Sequence, residues 1–147
     1  IPNLVCHPNL LMTPLLPQFQ AWCVTSSPLI LGHYIIDPNQ TKKIWNIISN
    51  REAIAVNQKW YGHPGTRLLD SKSIQVWAKP MSDSSMAVFF LNKNDLEDKE
   101  KTLDDLVIRY KSFSTDSSFR MKVRCIWSKW DVGEYKDGVF KPEALAS

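Results

Sequence analysis

Apolar positions along this chain change period once. Up to about residue 61 they recur at helical spacing, and beyond residue 66 they alternate. Leu15, Phe19, Trp22 and Cys23 fall on one face of a helix that Thr13 can cap and Pro14 can open. A proline is tolerated there because the N–H it lacks has no intrahelical partner. Pro17 still falls in the first turn, and Pro28 stops the helix. Leu29, Ile30 and Leu31 then read as a short buried strand ended by Gly32. Asp37-Pro38-Asn39-Gln40 is a second helix start, with Asp37 as cap and Gln40 placed to reach back to it. Ile44, Ile47 and Ile48 follow as an apolar stripe. Ser49 and Glu52 repeat the capping pattern, which predicts a further helix through Val56 with Ser49 as its cap. Its face of Ala53, Ile54 and Val56 is small enough to lie close against a sheet. Residues 1–12 are apolar, hold two prolines and show no period, and they read as a strand and a loop.

Gly62, Pro64 and Gly65 punctuate the change of period and mark a domain boundary. Past it, Ile74, Val76 and Ala78 alternate with Gln75 and Trp77. Residues 86–91, MAVFFL, predict a strand that is central in its sheet or covered on both faces. Residues 92–101 form a charged loop, and residues 106–110 and 121–127 read as further strands. Gly133 and Gly138 are expected to mark late hairpin turns. Short strands at this spacing predict an antiparallel β-sandwich. The helix, strand and helix ahead of it have the rhythm of an α/β barrel or a doubly wound sheet.

Composition narrows the function classes. The chain has 147 residues, 44% of them hydrophobic and 22% charged, which suits an ordered globular chain rather than a disordered one. The net charge of +3 is spread thinly, with no basic stripe interleaved with aromatics, so no nucleic-acid partner is expected. No apolar run approaches the ~18 residues of a membrane span, so no membrane partner is expected either. The chain opens on Ile1 with no Met and no charged leader, so its start carries no information about targeting. Cys6, Cys23 and Cys125 match no zinc or redox spacing, and no metal or cofactor is called for. They read as buried thiols, or as thiols of which Cys6 or Cys125 has its partner elsewhere.

Several ordered motifs carry a resemblance. Phe19 and Trp22 precede Ser27-Pro28-Leu29-Ile30-Leu31-Gly32, and residues 48–58 read ISNREAIAVNQ. Further on, residues 74–94 contain VWAKPMS and AVFFLNKN, and residues 123–131 read VRCIWSKWD, followed by Gly133 and Tyr135. Over about residues 13–140 this order is similar to the C-terminal portion of glycoside hydrolase family 27, the α-galactosidases. The resemblance implies an α+β chain in two parts. Residues 1–61 would be the C-terminal end of the (β/α)8 barrel, a remnant of its last helix-strand-helix units. Residues 66–147 would be the C-terminal antiparallel β-domain. A closing strand follows the equivalent of Phe140 in that family. Here residues 141–147, KPEALAS, lack alternation, so the sandwich is expected to be truncated and to leave an open edge.

The family hydrolyses terminal α-D-galactosyl bonds with retention, using two aspartates at barrel strand ends, one of them in a K-Y-D-x-C motif. That motif does not occur in this sequence, and none of its ten aspartates sits beside a strand end with a carboxylate partner. No catalytic residue is therefore assigned. Residues 5–11, VCHPNLL, have the outline of the family's substrate loop W-N-D-P-D-M-L, with His7 and Asn9 where that loop has its aspartates. Asn9 is the one substrate-binding candidate, able to hydrogen-bond a sugar hydroxyl but not to supply charge. His33 falls where barrel loops face the pocket, but a lone His is more often a packing residue, and His63 sits in a Gly/Pro turn. The six tryptophans read chiefly as core and interface anchors, with sugar stacking as the sharper alternative. Asn39-Gln40-Thr41 is an N-glycosylation sequon.

The leading expectation is the C-terminal part of an α-galactosidase-like enzyme, inactive alone, that meets an α-galactoside only through the whole protein. The family implies a secreted, lysosomal or vacuolar setting. A non-catalytic sugar- or protein-binding β module and an inactive, degenerate gene product stand as alternatives. A fragment should present a bare apolar face at Leu29, Ile30 and Leu31, with self-association as its consequence, whereas a binding module should present an aromatic cleft on the β-domain.

Overall fold

The computed structural model describes residues 3–5, 15–70, 72, 74–82, 85–93, 108–109, 120–136 and 139–140. A short strand β1 (Asn3–Val5) precedes three helices, α1 (Leu15–Thr25), α2 (Pro38–Ile48) and α3 (Arg51–Gln58). Seven strands follow: β2 (Thr66–Asp70), β3 (Ile74–Ser82), β4 (Ser85–Asn92), β5 (Ile108–Arg109), β6 (Arg120–Cys125), β7 (Trp130–Lys136) and β8 (Val139–Phe140). An antiparallel sheet has the order β2-β3-β4, a mixed sheet has β1-β6-β7, and β5 pairs with β8.

These elements stack as helices, sheet and sheet, and the residue pattern shows why. On β3, Val76 and Ala78 join Met86 and Val88 of β4 and Met121, Val123 and Cys125 of β6 in the core between the two sheets. The intervening residues of β3 and β4, Met81, Ala87 and Phe89, turn the other way and pack with Phe19, Cys23, Val24, Ala53 and Val56 of α1 and α3. Successive side chains on a strand point to opposite faces, so a strand covered on both sides must be apolar throughout. This accounts for the unbroken run at residues 86–89, all buried.

The helices begin and end for local reasons. Asp37 caps α2 as expected, its Oδ1 accepting from the N–H of Asn39 at 2.8 Å and of Gln40 at 3.4 Å. α1 ends with Ser26 in the left-handed region at φ 55° and with the Ser27 N–H donating to Trp22 O at 3.0 Å, a Schellman closure made without glycine. The expected Thr13 cap and Pro14 lie outside the described residues, as do the 92–101 loop past Lys93 and residues 141–147.

Three expectations are corrected. The cap of α3 is Asn50, not Ser49; Ser49 closes α2, its hydroxyl donating to Trp45 O at 2.5 Å. Leu29, Ile30 and Leu31 form no strand, and Ile30 is 73% exposed. A lone strand cannot satisfy its backbone, and here no neighbour pairs with it among the described residues. Gly133 lies within β7 rather than at a turn. It adopts φ 150° beside a register shift between Val123 and Arg124, while the hairpin turn falls at residues 126–129. β1 pairs in parallel with β6, Val5 opposite Arg124, and lies against β4.

Gly65 returns the chain from α3 to the sheet by passing directly over the end of α1, its N–H donating to Val24 O at 2.9 Å. A Cβ there would stand 2.4 Å from Val24 Cγ1 and 2.6 Å from Val24 O. Because one of those atoms is helix backbone, it cannot move aside cheaply. Gly65→Ala is expected to lower the unfolding free energy by about 1–3 kcal/mol, the usual range for overpacking. A urea midpoint equal to that of the parent would refute this close approach.

Candidate functional site

Two surfaces of the helical layer differ in kind. The inner one is a polar seam that fastens the helices to the sheets. Asn50 is its centre: Oδ1 accepts from the N–H of Glu52 at 3.0 Å and of Ala53 at 3.2 Å, while Nδ2 donates to Ile126 O at 3.0 Å. An amide suits this place because it accepts at one atom and donates from another, whereas an ionised Asp would lose the donor. Asn57, next to last in α3, does the same, Nδ2 donating to Trp22 O at 2.9 Å and Ser27 O at 2.8 Å. It thereby meets carbonyls that the end of α1 leaves without intrahelical partners. Arg124 of β6 forms a bidentate pair with Glu52, both contacts at 2.9 Å, and reaches Asp131 at 2.7 Å. Those hydrogen bonds, to Glu52 first, hold its guanidinium even more firmly protonated than usual.

Lys79 is the least expected member of the seam. It is fully buried, and its ammonium donates to Val56 O and, at 3.2 Å, to Asn57 O. These are last-turn carbonyls of α3, where the helix dipole favours a cation. Burial lowers the Lys79 pKa and pushes the neighbouring Cys23 thiol up to about 12, with Lys79 opposing the latter shift. Cys23 is thus a neutral, packed thiol rather than a nucleophile. Cys125 is likewise buried, and Cys6 lies outside the described residues.

The outer surface is apolar and open. No residue of α2 is fully buried, so its isoleucine stripe is only partly covered. Trp45, Ile30, Leu31, Tyr34, Ile35 and Ile36 are exposed, Ile36 to 74%. Between α1, α2 and the loop joining them runs a groove of about 270 Å³, lined by Leu15, Trp22, Ile30, Leu31, His33 and Ile44 together with the polar Gln40 and Lys43. His33 is half-buried there, Nε2 lying 3.1 Å from Thr41 Oγ1, while its buried Nδ1 has no partner. No carboxylate lines the groove, so it cannot carry two-carboxylate glycosidase chemistry. It offers apolar surface of the kind that marks an interaction site.

The remaining candidates separate as follows. The described aspartates are committed elsewhere: Asp37 caps α2, Asp131 pairs with Arg124, and Asp70 at the end of β2 pairs with Arg67 and Lys93, each at 2.8 Å. The Asp70 carboxyl is held below its ordinary range, first by its hydrogen bond from Lys93 and then by that from Gln75. His63 is exposed and donates from Nδ1 to Pro64 O at 2.7 Å, a turn contact. Trp45, Trp60 and Trp130 are exposed, and Trp22, Trp77 and Trp127 half-buried, so the anchoring role expected of most tryptophans holds for the second three only. Asn39 is exposed on the first turn of α2, whereas Asn9 lies outside the described residues. Among the described residues no group of three or more His, Cys, Asp or Glu could hold a metal, and no helix is long and apolar enough to cross a membrane.

Comparison with known proteins adds an independent line. The family model described as the α-galactosidase C-terminal β-sandwich domain matches residues 71–144. The α-galactosidase of Oryza sativa subsp. japonica is 34% identical over 80 residues, 54% of this chain and 19% of that protein. Alpha-galactosidase 3 of Arabidopsis thaliana is 28% identical over 132 residues, 88% of this chain and 28% of that one. The chain therefore spans less than a third of the length of these relatives. The crystal structure of α-galactosidase I from Mortierella vinacea shares the fold at a TM-score of 0.65 and 24% identity, over 89% of this chain and 36% of that chain.

Proposed function

This chain belongs to the α-galactosidase family, as a portion that carries its C-terminal β-sandwich domain, and on that footing we propose that it completes a retaining glycosidase acting on terminal α-D-galactosyl bonds. In this reading residues 1–61, β1 apart, are the last units of a (β/α)8 barrel, and residues 66–147 are the β-domain. The catalytic carboxylates belong to the part of the enzyme that precedes it. The working enzyme meets an α-galactoside in a secreted, lysosomal or vacuolar setting, and the isolated chain self-associates through its bare apolar surface.

The observation that carries the proposal is the inequality of the two sides of the helical layer. One side is fastened by Phe19, Asn50, Lys79 and Arg124, while the other leaves Ile30, Leu31 and Trp45 in water beside an apolar groove. A self-sufficient domain rarely leaves so much apolar surface contiguous and open. Earlier barrel strands would cover it and would give residues 29–31 the neighbours that a strand needs.

The test uses an aryl α-galactoside and two proteins. One is this chain alone. The other joins it in frame to the preceding part of the Arabidopsis thaliana relative, cut where the similarity begins. Hydrolysis is expected from the fusion and none from the chain, since neither leaving-group protonation nor covalent capture is possible without the carboxylate pair. Turnover by the chain alone, or a monomeric, cooperatively folded fusion that is silent, would overturn the proposal.

A further inference from the structure

We propose that Asn39 is the attachment site of an N-linked oligosaccharide, added in a secretory compartment before α2 closes. The chain has eight asparagines, and only Asn39 begins an Asn-X-Thr triplet with X other than proline. Exposure separates it further from Asn50 and Asn57. Asn50 and Asn57 are buried and spend their amides on carbonyls of other elements. Asn39 is exposed, between Pro38 and Gln40, which are exposed too. Its backbone N–H is held by Asp37, so the helix start is fixed while the side chain stays in solvent.

The surroundings also suit a sugar already in place. Gln40 and Lys43 line the apolar groove, and Asn39 is not among its lining residues. A glycan there stands beside the groove and leaves it open. The inference is therefore independent of the glycosidase reading. The exposed Tyr34, Ile35 and Ile36 lie just upstream, where a hydrated oligosaccharide would oppose their association with other chains.

The transfer is an ordinary substitution. Asn39 Nδ2 attacks the anomeric carbon of a lipid-pyrophosphate-linked oligosaccharide. The N–C bond forms, the anomeric C–O bond breaks, the lipid pyrophosphate leaves with the electron pair, and the amide gives up one proton. The hydroxyl two residues on must be available to the transferase. In the folded chain Thr41 Oγ1 donates to Asp37 O at 3.2 Å and lies 3.1 Å from His33 Nε2. Modification therefore precedes the closing of this turn.

The test directs the whole chain into the secretory pathway of a eukaryotic cell behind a cleavable leader, with a second Asn-Gly-Thr sequon appended at the C-terminus as a delivery control. Two mobility steps are expected, both collapsed by peptide N-glycosidase, which leaves residue 39 deamidated in the peptide mass map. Asn39→Gln and Thr41→Ala should each remove one step, and Thr41→Ser should keep it. Soluble secreted yield should fall severalfold in Asn39→Gln. A chain whose appended sequon is glycosylated while residue 39 stays unmodified would overturn the proposal.

Discussion

Replacing Phe19 with Ala should lower the unfolding free energy by about 3–5 kcal/mol, the range for emptying a large aromatic site in a core. Phe19 is 1% exposed and lies at the centre of the layer where α1 and α3 meet β3 and β4. Its ring meets Trp127 edge to face, with centroids 6.4 Å apart at 75°, a geometry worth a further fraction of that sum. Trp127 belongs to the turn after β6, so the contact joins the helical layer to the second sheet as well as the first. Phe19→Leu, which keeps much of the volume, should cost clearly less. Urea unfolding of both variants reads the difference. Two midpoints indistinguishable from the parent would mean that the helices are not seated on the sheet in solution.

The second large effect is expected at Asn50. Asn50→Ala removes the α3 cap, worth about 0.5–2 kcal/mol, and leaves Ile126 O buried without its donor, worth about 1–3 kcal/mol more. Asn50→Asp keeps the acceptor and loses only the donor, so it should fall between Ala and the parent. Ser49→Ala, which touches no buried partner on α3, should stay within about 0.5 kcal/mol. The ordering by chemical denaturation is the test. Ser49→Ala costing as much as Asn50→Ala would restore Ser49 as the cap.

Asn50 also shows where sequence reasoning stops. Ser49 and Glu52 match a capping box, and nothing local favours Asn50 over Ser49. The choice is made by Ile126, far along the chain, whose carbonyl accepts from Asn50 Nδ2 while Asn50 Oδ1 caps the helix. Lys79 escaped notice for the same reason. In residues 76–81 it reads as the polar member of an alternating strand, and only the end of α3 lying over that face makes burial affordable. Conversely, the Asp37 cap, the α1 face and the doubly covered run at 86–89 were legible because their causes lie within a few residues. Residues 29–31 were legible as the apolar face a fragment would leave bare, but not as lacking a strand, since strand pairing depends on what surrounds a segment. The parallel placement of β1 had no signal at all, three residues being too few to show a period.

The two-sided burial of β3 and β4 bears on how this chain can be inherited. The break in period at Gly62, Pro64 and Gly65 invites a picture of a detachable cassette that recombination could move between genes. Cut there, the downstream piece would carry away Met81, Ala87 and Phe89 with nothing over them, and an ammonium at Lys79 without the carbonyls of Val56 and Asn57. The helices would leave with Asn50 facing no carbonyl and Glu52 no guanidinium. A shuffling event that respected packing would have to take α1 through β8 together. The heritable unit is therefore longer than the β-sandwich, and it begins before the helices rather than after them.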